Sequence, residues 1–177
     1  GTHIYNSIAL FPLKYKRIDF EKSFFKDKTL MDEFVAKCDV IVHLAAMNRH
    51  NDPDVIYSTN IELVQKLITS LERTKSKPHV LFSSSSQEEK DNSYGKSKKE
   101  GRILLEKWAN NNGGVFTGLI IPNVFGPFGH PYYNSVVATF SHQISHGETP
   151  KIDVDGELKL IYVGELVTEI IKKAKEK

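Results

Sequence analysis

HVLFSSSSQEEKDNSYGKSK, residues 79–98, is the stretch whose reading decides the fold. It opens on the apolar run His79-Val80-Leu81-Phe82, short and continuous, as a buried strand would be. Four serines follow where that strand would end, then a short polar loop, then a charge-rich pattern of helical type. Tyr94 and Lys98 stand four apart. A helix opening near Tyr94 places both side chains on one face, one turn apart. A phenol beside an ammonium can act as a proton donor, because the positive charge stabilises the phenolate and lowers its pKa. Serines at a strand end lie in the crevice where open α/β sheets bind ligands. On their own, the same residues also read as a polar loop leading into a solvated helix.

Outward from this stretch, strand-like and helix-like patterns alternate. Residues 4–11 are apolar enough for a strand closed by Pro12, and residues 15–20 read as a short second strand with Asp19 near its end. Leu30, Met31, Phe34 and Val35 have helical spacing, which predicts a helix over 27–37. Residues 39–46 read as a fully buried strand of the parallel-sheet type. After a polar loop at 47–54, Ile56, Ile61, Leu63, Val64, Leu67, Ile68 and Leu71 give a long amphipathic helix over 55–71. The helix from Tyr94 is expected to bury Ile103, Leu104, Leu105 and Trp108, and Asn-Asn-Asn-Gly-Gly at 110–114 stops it. A strand at 115–121 ends in Pro122-Asn123. Beyond Gly126 the rhythm changes to a Gly/Pro/aromatic loop, a helix carrying Val136, Val137, Phe140 and Ile144, two short strands or a hairpin around Asp155-Gly156, and a last helix near 165–174. The alternation predicts an α/β chain with a doubly wound, mostly parallel sheet.

With 177 residues the chain builds one core and one domain. Its 24 basic and 22 acidic side chains leave a net charge of +2, so no field for nucleic acid arises. Cys38 is the lone cysteine. It has no disulfide partner, reads as a small packed hydrophobe, and agrees with a cytoplasmic setting. No apolar run approaches a bilayer span, and no signal peptide is evident.

The apolar strand, its Ser-rich end and Tyr94-Gly95-Lys96-Ser97-Lys98 resemble the extended short-chain dehydrogenase/reductase family, the NAD-dependent epimerases and dehydratases that act on nucleotide sugars. The resemblance implies a Rossmann-like fold, with Tyr94 as catalytic acid/base and Lys98 on the nicotinamide ribose, lowering the Tyr94 pKa. It places Ser85 beside the reacting carbonyl or hydroxyl, with Ser84 as the other register. On the cofactor side it implies Asp19 near the adenine end, the small-residue strand end Leu44-Ala45-Ala46, Asn60 supporting the active-site loop, and Pro122 behind the nicotinamide. Leu44 to Arg49 and Pro131 to Phe140 further resemble the reductases of capsular polysaccharide synthesis that make the N-acetyl-L-fucosamine precursor. That likeness puts Asn48, Arg49, Asn123, His130, Tyr133, Asn134 and Ser135 on the nucleotide-sugar side, with residues 127–163 as a substrate-side insertion. Arg49 would meet a diphosphate through its planar fork.

Three departures qualify the likeness. No GxGxxG or GxxGxxG occurs in the 177 residues, so the backbone turn that grips a dinucleotide diphosphate is missing from the sequence. The resemblance begins at the second strand, which predicts a domain truncated at its N-terminus. The arginine many relatives carry before the Pro122 segment is replaced by Ile120 and Ile121. The relatives' cupin-type domain with its metal site also has no counterpart, and no His/Cys cluster has metal-ligand spacing. The intact parent is thus expected to use NAD(P)(H), and cofactor binding by the truncated chain stays open. Its activity is open on the same ground: a reductase, an epimerase or dehydratase on a similar sugar, or a silent sugar-nucleotide-binding module. Relatives also imply a homodimer through the helices at 55–71 and 94–109.

Overall fold

Val80, Leu81 and Phe82 are almost wholly shielded from solvent, and the strand they form is the middle of a three-stranded parallel sheet. The computed structural model describes residues 1–10, 15–152 and 155–176. Strand β1 is Val40–His43, β2 is His79–Ser85 and β3 is Val115–Ile121. The sheet order is β1-β2-β3, with His79 level with Val40 on one side and Val115 on the other. Its helices are α1 (Thr2–Leu10), α2 (Lys28–Ala36), α3 (Pro53–Thr74), α4 (Ser93–Asn112), α5 (Val136–Ser145) and α6 (Val163–Lys173). Parallel neighbours need long crossovers, and α3 and α4 supply them. The result is an α/β, Rossmann-like fold, the class the alternation predicts.

The core forms where these helices meet the sheet. Met31 and Val35 come from α2, Val64, Leu67 and Leu71 from α3, and Leu105, Trp108 and Ala109 from α4. Gly101 lets α4 approach closely, since a Cβ there would lie 3.0 Å from the Phe82 ring and 3.2 Å from Val64. Asp27 caps α2 by accepting from the Leu30 N–H at 3.0 Å, and Asp52 caps α3 just before Pro53. Gly113, at φ 64°, ends α4 in the left-handed conformation.

Several sequence expectations shift. Residues 2–10 form α1, not a strand: Ile4 and Ile8 stand one helical turn apart, and α1 packs along α6. Phe11 and Pro12 lie outside the described residues. Residues 15–20 pair with no strand among the described residues, and Phe20 is instead drawn into edge-on contacts with Phe24, Phe25 and Phe34. The strand expected over 39–46 is only Val40–His43, and Met47 beyond it bonds through its N–H and its carbonyl to the Asn60 side chain. Ile103 is 47% exposed, since Gly101, Leu105 and Trp108 define the inward face of α4. Among the described residues, no hairpin pairing is present around Asp155-Gly156. Strand β4, Asn123–Phe125, pairs in parallel with β5, Leu160–Tyr162, making a separate small sheet. Asp153 and Val154 of the expected hairpin lie outside the described residues.

Candidate active site

Strand β2 ends at Ser85, and α4 returns over it carrying Tyr94 and Lys98. Between them runs a tight 3₁₀ turn, Ser86–Glu89, capped by Ser85, whose hydroxyl accepts from the Gln87 N–H at 3.2 Å. Asn92 caps α4 by accepting from the Gly95 N–H at 2.7 Å. Gly95 has no room for a side chain, because a Cβ would lie 2.0 Å from the Gln87 carbonyl oxygen. The loop thus folds directly onto the first turn of α4, and Ser85 and Tyr94 are brought to one end of the sheet.

Tyr94 is half-buried, and burial raises its phenol above the ordinary value. This is opposite to the lowering expected from Lys98. Lys98 is 2% exposed, with its Nζ 4.3 Å from the centre of the Phe82 ring. Burial pushes the Lys98 ammonium down to about 8, against a smaller opposing pull from Glu88. His43 stacks on Phe82 at 5.6 Å, and burial first, Lys98 second, push it down to about 3. It is a neutral packing group at neutral pH, with its Nε2 buried and unpartnered.

Asn60, inside α3, joins two parts of the site. Its Oδ1 accepts from the Met47 N–H at 2.7 Å, and its Nδ2 donates to the Met47 carbonyl and the Ser97 hydroxyl, both at 2.9 Å. Ser97 in turn donates to the Tyr94 carbonyl at 2.7 Å. One buried amide therefore holds both the loop after β1 and the first turn of α4.

That loop presents Asn48 and Arg49 to a segment far along the chain. The Tyr133 hydroxyl donates to Asn48 Oδ1 at 3.0 Å. Arg49 donates to the Tyr133 carbonyl, and its guanidinium lies 4.6 Å from the centre of the Tyr133 ring. His130 meets the same ring edge-on at 6.2 Å. Phe128 and Tyr132, on either side of His130, adopt positive φ of 65° and 57°, a strained choice for aromatic residues. The sequence-expected sugar side is thereby partly assembled. Ser135 caps α5 through the Ala138 N–H at 3.2 Å, so its hydroxyl already has a partner. Asn134 is exposed, and Asn123 opens β4, bonded through its N–H to the Lys159 carbonyl at 3.1 Å.

The cofactor-side residues are less gathered. Leu44 and Ala45 line a groove of about 1190 Å³ that runs from β1 to α1 and α6, with Ile18, Phe25 and His43. Ala46 is exposed, and Pro122 sits between β3 and β4 beside a second cleft that includes Ser85. Asp19 is exposed and ion-paired with Arg17 at 2.5 Å. Cys38 packs against the core, with burial first and Asp39 second pushing its thiol up to about 11, which suits packing and not nucleophilic chemistry. Among the described residues, no three His, Cys, Asp or Glu side chains form a metal-holding group, and no helix is long and apolar enough to cross a membrane.

Sequence reasoning named Ser84 only as the other register for Ser85, and missed Glu88 and Arg102. Ser84 is 3% exposed and donates to Glu88, whose carboxylate accepts from Arg102 at 2.8–3.2 Å. Nothing in a spacing of fourteen between Glu88 and Arg102 signals that pairing. It also missed Phe82 as the surface beneath Lys98.

Sheet, serine end and Tyr-Lys helix together define a class, and residues 6–176 match the NAD dependent epimerase/dehydratase family. The chain belongs to that family. It is 33% identical over 143 residues to the UDP-2-acetamido-2,6-beta-L-arabino-hexul-4-ose reductase of Pseudomonas aeruginosa, a match covering 80% of this chain and 38% of that protein. The capsular polysaccharide assembling protein CapF from Staphylococcus aureus superposes with a TM-score of 0.81 at 29% identity, over 99% of this chain and 46% of that one. The UDP-N-acetylglucosamine 4-epimerase from Methanobrevibacter ruminantium, solved with UDP-N-acetylmuramic acid, gives a TM-score of 0.73 at 27% identity, over 82% of this chain and 54% of that one. The chain thus spans about half the length of these relatives, or less.

Proposed function

We propose that the chain is the sugar-facing part of an NAD(P)-dependent reductase acting on a nucleotide-activated 4-keto-6-deoxy-hexosamine in surface polysaccharide biosynthesis. The observation that carries this reading is the clasp of Asn48 and Arg49 with Tyr133, built on the same loop that Asn60 ties to the Tyr94 helix. The reductase relative and CapF support it.

The residues present suit the nicotinamide end of the cofactor. Lys98 would face the ribose, and Leu44 and Ala45 line the groove with small or apolar side chains. That groove exceeds the roughly 300–1,000 Å³ of ordinary ligand pockets. The diphosphate has no glycine-rich turn among the 177 residues, so its grip is not assigned to this chain. When bound, a reduced nicotinamide supplies the hydride. The Tyr94 hydroxyl, whose raised pKa keeps its proton at neutral pH, donates that proton to the oxygen at C4 of the keto sugar. The Ser85 hydroxyl hydrogen-bonds the same oxygen as charge develops on it. Arg49 binds the diphosphate of the sugar nucleotide, exchanging the Tyr133 carbonyl for a charged acceptor. Residues 127–163 form the substrate-side part of the one domain. Epimerase chemistry on a similar sugar is the second reading, favoured by the likeness to the N-acetylglucosamine 4-epimerase.

Calorimetric titration of the chain with UDP-N-acetylglucosamine, and separately with NADPH, tests this. Saturable sugar-nucleotide binding that Arg49→Ala weakens at least about tenfold is expected, from loss of a charge-assisted pair. Binding of neither probe, or sugar-nucleotide binding indifferent to Arg49, overturns the reading.

A further inference from the structure

Glu88 takes no part in the proton transfer described above, yet it is a carboxylate with only 8% of its side chain exposed. A group so placed is costly unless it is fully paired. Its Oε1 accepts from the Ser84 hydroxyl and from Arg102 Nε at 2.9 Å. Its Oε2 accepts from Arg102 Nε at 3.2 Å and Nη2 at 2.8 Å. Burial opposes ionisation of this carboxyl, but the bonds from Arg102 and Ser84 outweigh it and hold the group below its ordinary value. Arg102 is itself fixed, because its stem covers Gly118, where a Cβ would come within 2.7 Å of its Cδ. Glu88 therefore joins the end of β2, the 3₁₀ turn, α4 and, through Arg102, β3.

Two members of the proposed reacting group neighbour this junction. Ser84 precedes Ser85 directly. Lys98 lies one turn before Arg102 on α4, and the Glu88 charge acts on it, favouring the ammonium against burial. His43, from β1, is neutral, and Tyr94, one turn earlier on α4, keeps its proton.

We propose that Glu88, locked by Arg102, is a positioning residue of the site: it fixes the Ser84–Ser85 end of β2 against α4 and sets a carboxylate against Arg102, one turn along α4 from the buried Lys98. This rests on the reading of Tyr94, Lys98 and Ser85 as the reacting group. It acts through those residues and does not touch substrate.

The test follows the Lys98 ammonium directly. Lysine-labelled chain is titrated by NMR, the Lys98 signal being identified by its loss in Lys98→Arg. In Glu88→Gln, which keeps the size and an acceptor for Ser84 but removes the charge, the Lys98 midpoint falls by about half a pH unit or more. Glu88→Asp, which restores the charge, recovers most of that fall. Ser84→Ala leaves the midpoint in place, and Ser85 is then reached less well, seen as weaker sugar-nucleotide binding. A merely structural role would lower stability in these variants without separating charge from tether. If Glu88→Gln does not fold, Glu88→Met, uncharged and of similar length, serves as the charge-free variant and gives the same downward shift. A Lys98 midpoint unchanged in the folded charge-free variant overturns the proposal. The readout needs neither sugar nucleotide nor nicotinamide. A parent that binds sugar nucleotide while Glu88→Gln leaves Lys98 unmoved sinks this inference alone. A parent that binds no ligand but shows the shift sinks the functional reading alone.

Discussion

Between β1 and β3 the chain packs a core of buried apolar side chains; between β4 and β5, among the described residues, none is buried and most of the large ones are exposed. Leu67, Leu71, Val80, Leu81 and Leu105 are each no more than 1% exposed. In the later region Phe128, Tyr132, Ile144, Ile152, Leu158 and Leu160 are all exposed, and α5 buries no residue. The proposed proton donor sits in the first region, on a helix packed against both α3 and the sheet. The proposed sugar-side residues sit largely in the second, held by the clasp to the 47–49 loop. Packing thus fixes the groups that would act chemically, while polar contacts that a ligand could exchange fix those that would recognise it.

The largest effect that separates the regions is expected from Phe82→Ala. This ring fills the contact between β2, α4, His43 and Lys98, and removing it costs about 3–5 kcal/mol. Leu160→Ala, at a side chain already exposed in β5, costs less than about 1 kcal/mol. Urea unfolding of the two variants measures both, and comparable losses would erase the contrast. Gly95→Ala comes next, at about 3 kcal/mol, the upper end of what overpacking costs. Its new methyl meets the Gln87 carbonyl, which belongs to a tight turn and not to a flexible side chain. Gly156→Ala meets nothing within 4 Å and is the matched control in the outer region.

Lys98 reverses the direction. Its folded pKa, about 8, lies below the ordinary 10.5, so the unfolded chain binds this proton more tightly. The cost to stability is complete below about pH 8 and fades as pH rises from there to 10.5. Lys98→Met therefore stabilises the protein at pH 7, by about 2–3 kcal/mol, while removing the ammonium proposed to face the ribose. Denaturation at pH 7 and pH 10 checks this. A gain that persists undiminished at the higher pH would mean the lysine is not held against its charge.

The inner region was legible in the sequence because its signals are local. Continuous apolarity marked the strands at 40–43 and 79–82, helical spacing marked α3, and a spacing of four placed Tyr94 and Lys98 on one face. The extent of β1 was not legible, since the loop that follows it is held by Asn60, thirteen residues beyond Met47. α1 was misread as a strand because nine residues of mixed apolar character satisfy either period over so short a length. β4 and β5 each hold three residues and pair across a long separation, which no window of sequence reports. At the site, resemblance named Tyr94, Lys98 and Ser85. The Tyr94 pKa direction depends on how deeply the ring is packed, and the Glu88–Arg102 pair depends on tertiary contact between a turn and a helix.

The smallest effect is the most direct probe of the outer region. Tyr133→Phe removes one hydroxyl, and with it the bond to Asn48, but leaves the ring under Arg49 and the carbonyl that Arg49 donates to. The bond is exposed, so global stability changes by less than about 1 kcal/mol, with little visible in a melt. Local opening is a finer measure. If the clasp is what orders the segment carrying His130 and the strained Tyr132, amide exchange across residues 126–135 quickens about two- to fivefold while β2 is unaffected. Exchange that stays unchanged in 126–135 would mean the outer region is ordered by its own packing despite its exposed side chains. The clasp would then be an ornament of the loop, and the contrast between packed and polar restraint would no longer describe this molecule.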